Sequence, residues 1–369
     1  MRREDRKGMS LLRLAGVTVA PFFIIACTEE LIEEKVVNPE SVGESLYFDV
    51  NLSEPAGQSC ASCHLPEAGF ADPDQDMPTS EGAVAGLFGN RNTPSASYAA
   101  HIPEFQLISS NFGRDRYLGG QFWDGRASTL EEQAEGPFLN PVEMNNASKA
   151  DVIAKIKASS YAEEFEDIFG AGALDDVETA YTQATEAIAA FERTVQFSPF
   201  TSKFDAEQQR LESFTQSEES GQNIFDSRCG RCHSSNRVSS VEVFSDFQYR
   251  NIGVPANPNN PFLDMDSSFN PEGAAFIDLG LGAVVNDPRQ NGKFRTPNLR
   301  NIENTAPYMH NGVFQTLEEV IDFYNRRDID NIQPEVDQNV DNSFRMGEMN
   351  LSESDVQDLL AFLKTMTDR

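Results

Sequence analysis

The sequence predicts a mostly α-helical protein with two domains and long irregular loops. Apolar residues recur at helical spacing in residues 148–169, 176–197 and 352–366, and no strand pattern persists. One cysteine-containing motif also occurs twice, early and late in the chain. A chain of 369 residues is long enough for two domains of ordinary size. We therefore place the two domains at residues 42–200 and 201–369.

Capping boxes predict where several helices begin. The pattern Thr-x-x-Glu occurs at residues 129–132, 215–218 and 316–319. In such a box the threonine and the glutamate each accept a hydrogen bond from a free N–H of the first helical turn. The apolar stripe of residues 176–197, which includes Val195, is expected to face the core.

The repeated motif is C-x-x-C-H, at Cys60–His64 and Cys229–His233. It is the pattern of c-type haem attachment, in which two thiols bond to the haem and the following imidazole binds the iron. The alternatives are a zinc site and a thioredoxin-like pair. Zinc does not require a histidine after each second cysteine, and thioredoxin chemistry needs only one pair. Each domain is therefore expected to be cytochrome-c-like with one covalent c-type haem, held by Cys60, Cys63, His64, Cys229, Cys232 and His233.

The first 26 residues have the form of a secretory signal. Basic residues up to Arg13 precede a short apolar run, residues 14–26, which is too short to span a bilayer comfortably. The run ends in Ile-Ile-Ala-Cys27, similar to a bacterial lipobox, so we expect Cys27 to carry lipid. Simple cleavage that leaves a spare thiol is the alternative. Residues 27–41 would then tether a periplasmic lipoprotein that meets the membrane through its lipid alone.

The formal net charge is −30, which argues against nucleic acid as a partner. An acidic surface suits the steering of a basic electron-donor protein. Solubility or a saline habitat explains the same charge equally well.

Three further stretches carry a family resemblance. Gln121–Arg126, Phe294–Asn301 and Thr305–Gly312, together with two C-x-x-C-H motifs in this order, closely resemble the bacterial di-haem cytochrome c peroxidase family, which includes MauG. The resemblance covers nearly all of the mature chain. It implies an exported enzyme that reduces hydrogen peroxide to water at the N-terminal haem. The C-terminal haem would take electrons from a small cytochrome c or copper protein.

The resemblance assigns roles to three residues of the N-terminal half. Trp123 would relay electrons between the haems, Gln133 would hold the peroxide, and Glu143 would shuttle its proton. A packing tryptophan and ordinary helix or turn residues are the alternatives. Some members carry a histidine that blocks the peroxide haem, but the comparable stretch, residues 78–83, contains none. The peroxide haem is thus expected to be open, although His101 stays as a second N-terminal histidine of undefined role.

The sixth ligand of the C-terminal haem is expected to be Tyr324, fourteen residues after His310. The peroxidases have methionine at this position and MauG has tyrosine. Met309 and Met346 are alternatives, as is a plain core aromatic at 324. A tyrosine ligand favours a second function, the MauG-like oxidation of residues on a partner protein through a high-valent di-haem state. A non-catalytic electron carrier is the third function, against which the three catalytic candidates argue.

The family also has a calcium ion between its domains. Its ligands map to the Asn92 side chain and to the main-chain carbonyls of Thr305 and Pro307, an oxygen set of the kind calcium prefers. The alternative is that Asn92 caps a turn. The resemblance leaves a homodimer open.

Overall fold

The computed structural model describes residues 37–109, 115–234 and 241–369. The predicted signal, Cys27 and most of the predicted tether lie outside these residues. Within the three described stretches, no helix combines the length and apolar character needed to cross a membrane. Val37–Arg369 forms one compact unit, and the domain boundary near residue 200 stays a prediction.

The described residues contain eleven α-helices and four short strands. The helices are α1 (Pro39–Phe48), α2 (Cys60–Cys63), α3 (Leu130–Leu139), α4 (Lys149–Lys157), α5 (Ala162–Phe169), α6 (Val177–Glu192), α7 (Lys203–Gln208), α8 (Gln216–Arg228), α9 (Leu281–Val285), α10 (Leu317–Arg326) and α11 (Glu353–Lys364). The strands are β1 (Gln106–Ile108), β2 (Arg116–Leu118), β3 (Tyr249–Arg250) and β4 (Phe294–Arg295). The mostly α fold class is confirmed.

Local capping explains where the predicted helices begin. Thr215 at α8 and Thr316 at α10 each cap the helix with the predicted reciprocal pair of hydrogen bonds. At α3 the Thr129 side chain accepts from the Glu132 N–H, but the Glu132 carboxylate accepts from the Ser128 N–H at 2.6 Å. The helix begins where predicted, with the second half of the box moved by one residue.

Two parts of the helical pattern differ from the prediction. The stretch 148–169 divides into α4 and α5, and the stretch 176–197 stays helical only to Glu192. The expectation that Val195 is core is wrong, because this side chain is 72% exposed. The chain leaves the helix before Val195, so the apolar stripe no longer determines which way the side chain points. Phe197 fills the core instead and is fully buried.

Each half of the described chain has its own hydrophobic core. One gathers apolar side chains from Val42 to Phe197, and the other from Phe214 to Met366. In the first core α1 packs on α6, and in the second α8 packs on α11. Each crossing passes over a glycine: a β-carbon at Gly43 would overlap the Ala187 carbonyl, and one at Gly221 would overlap the Asp358 carbonyl. The helix before each C-x-x-C-H motif thus packs closely against its partner helix at a glycine.

The short strands join the two halves. β1 pairs antiparallel with β2, and β3 pairs antiparallel with β4, with Tyr249 opposite Arg295. A bridge between Leu118 and Gln248 links β2 to the segment of β3. Strand β2 therefore lies beside the segment that carries β3, and the Arg295 N–H of β4 donates to the Trp123 carbonyl.

Candidate active site

A cavity in the N-terminal half, which we name the N-terminal cavity, is lined by the first C-x-x-C-H motif. Helix α2 is a single turn that carries both cysteines, and the His64 N–H donates to the Cys60 carbonyl at 2.9 Å. This compact turn presents both thiols and the imidazole to one space. The cavity wall includes Cys60, Cys63, His64, Trp123, Arg126, Gln133, Glu143, Glu192 and Arg295.

The His64 ring is held by the main chain. Its Nδ1 lies 3.1 Å from the Phe70 carbonyl oxygen. Because a carbonyl only accepts, Nδ1 carries the proton and Nε2 keeps a lone pair, as in histidines that bind metals. Burial lowers the pKa of His64 and so favours the neutral ring. Phe70 has φ +58, an unusual value for a bulky residue, and its ring stacks on Phe197.

The thiols of the first motif are held protonated. Burial raises the pKa of Cys60 and of Cys63 to about 12 in each case. A low-pKa thiolate of the kind used in thioredoxin-like exchange is therefore not present here. The two C-x-x-C pairs also line different cavities, so they do not share one zinc ion. The geometry fits one haem for each motif.

Gln133 and Glu143 face the same N-terminal cavity. Gln133 and Pro137 lie one turn apart on α3, and both line the wall. Glu143 is half-buried in the turn that follows, where burial raises its pKa against the opposing charge of Arg126 and a hydrogen bond from Asn140. A carboxyl in this setting exchanges its proton closer to neutral pH than a free one does.

Trp123 borders both cavities. It lies in a tight turn in which the Gly125 N–H donates to the Gln121 carbonyl at 3.1 Å. The indole N–H donates to the Asn92 carbonyl at 2.8 Å, which fixes the ring plane. Trp123 lines the N-terminal cavity and also the second cavity described next. Trp123 therefore lies between the two cavities that the C-x-x-C-H motifs line.

The second cavity, which we name the C-terminal cavity, is lined by Cys229, Cys232 and His233. His233 Nδ1 lies 2.9 Å from the Phe244 carbonyl oxygen, and burial lowers the pKa of this histidine. Phe244 has φ +55, so the arrangement repeats that of Phe70. Burial raises the pKa of Cys229 to about 12 and also raises that of Cys232.

Tyr324 lies on α10 and lines the C-terminal cavity, as do Met309 and Met346. Its hydroxyl makes no hydrogen bond to another described residue, which is unusual for a tyrosine whose pKa is raised by burial. The other buried tyrosines donate their hydroxyls to main-chain carbonyls or aspartates; these are Tyr47, Tyr98, Tyr161, Tyr181, Tyr249 and Tyr308. The geometry leaves all three ligand candidates on one cavity.

The three residues expected to bind calcium line the same cavity. Asn92, Thr305 and Pro307 all line the C-terminal cavity. The Asn92 N–H donates to the His310 carbonyl at 2.8 Å, and its side-chain amide donates to the Pro78 carbonyl at 3.3 Å. The amide nitrogen is therefore engaged, and the side-chain oxygen is the atom left for a cation.

His101 belongs to neither cavity wall among the described residues. Its ring packs 5.4 Å from that of Phe200 and 6.1 Å from that of Tyr98, and burial lowers its pKa. It is an aromatic-packed histidine in this conformation.

Two residues of the cavity walls, Glu192 and Arg295, are not marked as functional by the sequence alone. Glu192, the last residue of α6, is 6% exposed, and burial raises its pKa to about 8. No local pattern marks it, because glutamates are frequent throughout the chain. Arg295 lines both cavities. It lies in the run Phe294–Asn301, which had been noted only for its resemblance to the family.

Comparison with known proteins agrees with this geometry. The profile of the di-haem cytochrome c peroxidase family matches residues 38–213. The chain is 40% identical to the methylamine utilization protein MauG of Paracoccus denitrificans, over 89% of this chain and 88% of that protein. It is 31% identical to the cytochrome c551 peroxidase of Nitrosomonas europaea, over 97% and 90% of the two chains.

A solved structure supports the same relationship. The diheme peroxidase BthA from Burkholderia thailandensis matches with a TM-score of 0.76 at 32% identity, over 89% of this chain and 86% of that one. With its two C-x-x-C-H motifs on two separate cavities, the chain belongs to the di-haem cytochrome c peroxidase family and is a mostly helical, two-haem oxidoreductase of the peroxidase type.

Proposed function

We propose that this protein is an exported peroxidase that reduces hydrogen peroxide to water with electrons from a small cytochrome c or copper protein. The observation that carries the proposal is the composition of the N-terminal cavity. One space holds a haem-attachment motif, an amide and a carboxyl whose pKa is raised by burial. An electron carrier needs no such group on an open pocket.

The haem assignment rests on the two matched motifs. Cys60 and Cys63 would form the thioethers of one haem and Cys229 and Cys232 those of the other. His64 and His233 would bind the irons through Nε2, since Nδ1 of each faces a main-chain carbonyl. The haem irons, when bound, supply the redox change at the peroxide.

The side chains of the N-terminal cavity would manage the protons. One peroxide, two protons and two electrons give two water molecules. The Gln133 amide would orient the peroxide by hydrogen bonding. Glu143, as carboxylate, would accept the proton of one oxygen and return it to the other, so that the leaving oxygen departs as water. The positive charge of Arg126 opposes the rise in the pKa of Glu143 that burial causes, and so favours the carboxylate form.

Trp123 would carry charge between the two centres. Its ring borders both cavities and is locked by the hydrogen bond to Asn92. Electrons would enter at the C-terminal haem, for which Tyr324 is the sixth ligand that we favour over Met309 and Met346. The Tyr324 hydroxyl has no hydrogen-bond partner among the described residues, and this supports the choice, because a buried phenol otherwise finds a partner.

A second function, MauG-like oxidation of residues on a partner protein, is favoured by the position of Tyr324 on the C-terminal cavity. A phenolate ligand at Tyr324 would stabilise the ferric form and lower the potential of the C-terminal haem relative to a thioether. That change makes the haem a poorer electron acceptor for an ordinary donor. The 40% identity to MauG supports the same reading.

One experiment separates the two functions. Peroxide is added to the purified two-haem protein with and without a reduced small cytochrome c. Rapid oxidation of the cytochrome supports the peroxidase. A long-lived oxidised spectrum with slow cytochrome turnover supports protein oxidation, and no spectral change at either haem contradicts both.

Calcium is proposed at Asn92, Thr305 and Pro307, where it would order the wall shared with the haems. Treatment with a chelator should lower activity and calcium should restore it, while indifference to chelation would contradict the site. The lipid on Cys27, the periplasmic location with attachment by lipid alone, and the domain limits 42–200 and 201–369 are proposals on the sequence grounds given above.

A further inference from the structure

Arg295 lies where the N-terminal and C-terminal cavities meet, and it lines both. It is only 6% exposed. Strand β4 holds it opposite Tyr249, its N–H donates to the Trp123 carbonyl at 2.8 Å, and Nη2 donates to the Phe122 carbonyl at 3.0 Å. The guanidinium group is therefore fixed in the shared wall.

Two donors of this guanidinium group are free. Nε and Nη1 of Arg295 are buried and find no hydrogen-bond partner in the described part of the chain. An arginine side chain stays charged in a protein, and a buried charge with free donors is costly unless an anion pairs with it. One carbonyl and the Phe247 ring, 5.9 Å away, do not neutralise the charge. The positive charge and the free donors make the Arg295 side chain a binding group for an anion.

The nearby carboxylates are already engaged. Asp124 forms ion pairs with Arg91 at 2.6 Å and with Arg126 at 3.0 Å. Asp278 binds the other side of Arg91 through two further hydrogen bonds. Asp124 and Asp278 are thus paired with Arg91 and Arg126, and neither forms an ion pair with Arg295. We look for the negative partner of Arg295 in the group that fills the cavities.

We propose that Arg295 binds a haem propionate at the shared wall and raises the reduction potential of the haem that carries it. The inference rests on the two-haem assignment made under the proposed function. Haem has two propionate carboxylates, and each free N–H group of the Arg295 guanidinium can donate to a carboxylate oxygen in a charge-assisted hydrogen bond. Hydrogen peroxide is uncharged and does not supply the missing charge. A positive charge beside a haem favours the reduced form, since reduction adds one negative charge.

The test is a spectroelectrochemical titration of both haems in the full-length holoprotein. Arg295→Gln should lower the reduction equilibrium constant of at least one haem tenfold or more, which is about 59 mV for a one-electron couple. Arg289→Gln is the matched control, because it removes the same formal charge from a side chain that is 86% exposed. The control should leave both potentials unchanged. A folded two-haem Arg295→Gln protein with the potentials of the control overturns the proposal.

A second measurement covers the case in which Arg295→Gln does not fold. Arg295→Lys keeps the charge but loses the guanidinium donors, so the propionate bending band in resonance Raman spectra should shift from its wild-type position. An unchanged band in a folded Arg295→Lys protein overturns the proposal, because the donors would then be meeting water or a free anion. Haem content and peroxide consumption of the wild type test the proposed function separately, so the two failures are distinguishable.

Discussion

Replacing Glu143 by glutamine tests the proton transfer assigned to the N-terminal cavity. The change keeps the size of the side chain and its hydrogen-bonding capacity but removes the ability to take up a proton. A positioned acid–base group is worth roughly 10²- to 10⁴-fold in rate, or about 3–5 kcal/mol of activation free energy. We expect a loss in that range for the reaction of the oxidised protein with peroxide.

The pH dependence gives the second part of this prediction. Burial raises the pKa of Glu143, so its carboxylate form is lost at a higher pH than that of a free glutamate. The wild-type rate should therefore fall as the pH is lowered through this raised pKa, and the Glu143→Gln rate should be flat over the same window. Burial of the charged Glu143 carboxylate lowers the free energy of unfolding, so Glu143→Gln should be no less stable than the wild type at neutral pH.

The assay is stopped-flow mixing of oxidised protein with excess peroxide, from about pH 5 to about pH 9. Glu81→Gln is the matched control, since Glu81 also lines the N-terminal cavity but is exposed. Its rate should stay within about twofold of the wild type, as expected for a surface carboxylate without a catalytic role. A Glu143→Gln protein that reacts as fast as the control, or that keeps the wild-type pH profile, would refute the reasoning.

Three other predictions concern ligation and stability. Tyr324→Met should raise the reduction potential of the C-terminal haem and introduce the near-infrared charge-transfer band of ferric His/Met ligation. The wild type should lack this band, and a wild type that already has it excludes Tyr324 as the ligand. Burial raises the pKa of Glu192 to about 8, so stability should fall as pH rises from the ordinary carboxyl range to about 8, by on the order of a few kcal/mol. Urea unfolding at several pH values should show this slope in the wild type and in exposed Glu186→Gln but not in Glu192→Gln, and an equal slope in all three proteins would contradict it. Gly221→Ala should lower the free energy of unfolding by about 1–3 kcal/mol, because the new β-carbon overlaps a main-chain carbonyl. Gly136→Ala is the control: a β-carbon there has its nearest neighbour at 3.7 Å, so the free energy of unfolding should rise by up to about 1 kcal/mol. Equal effects of the two substitutions would disprove the close helix crossing.

The features that local chemistry determines were predictable from sequence. The starts of α8 and α10 follow from capping residues three positions apart, and both were confirmed. Val195 shows the limit of this reasoning. A helical stripe predicts burial only while the chain stays helical. The apolar spacing continues to Val195, so it does not show that the helix ends at Glu192.

The shared wall of the two cavities was not predictable by the same means. Trp123 and Arg295 lie far apart in sequence and are joined by one main-chain hydrogen bond. Arg295 has neither aspartate as a partner because Asp124 and Asp278 both pair with Arg91, and these pairs are set by the folded chain. Sequence can therefore name the residues of such a wall through family resemblance, but it does not show which of them stays unpaired.

The matched histidine contacts constrain where the two redox centres can differ. His64 and His233 each face a main-chain carbonyl, at 3.1 and 2.9 Å, and each carbonyl belongs to a phenylalanine in the left-handed region. A neutral carbonyl partner makes a ring less electron-rich than a carboxylate partner does, and here it does so equally for both. The two histidines are therefore alike in the kind of hydrogen-bond partner that holds each ring. We therefore expect a division of labour between the two halves to come from other groups: Gln133 and Glu143 in one cavity, Tyr324 in the other, and Arg295 in the wall that they share.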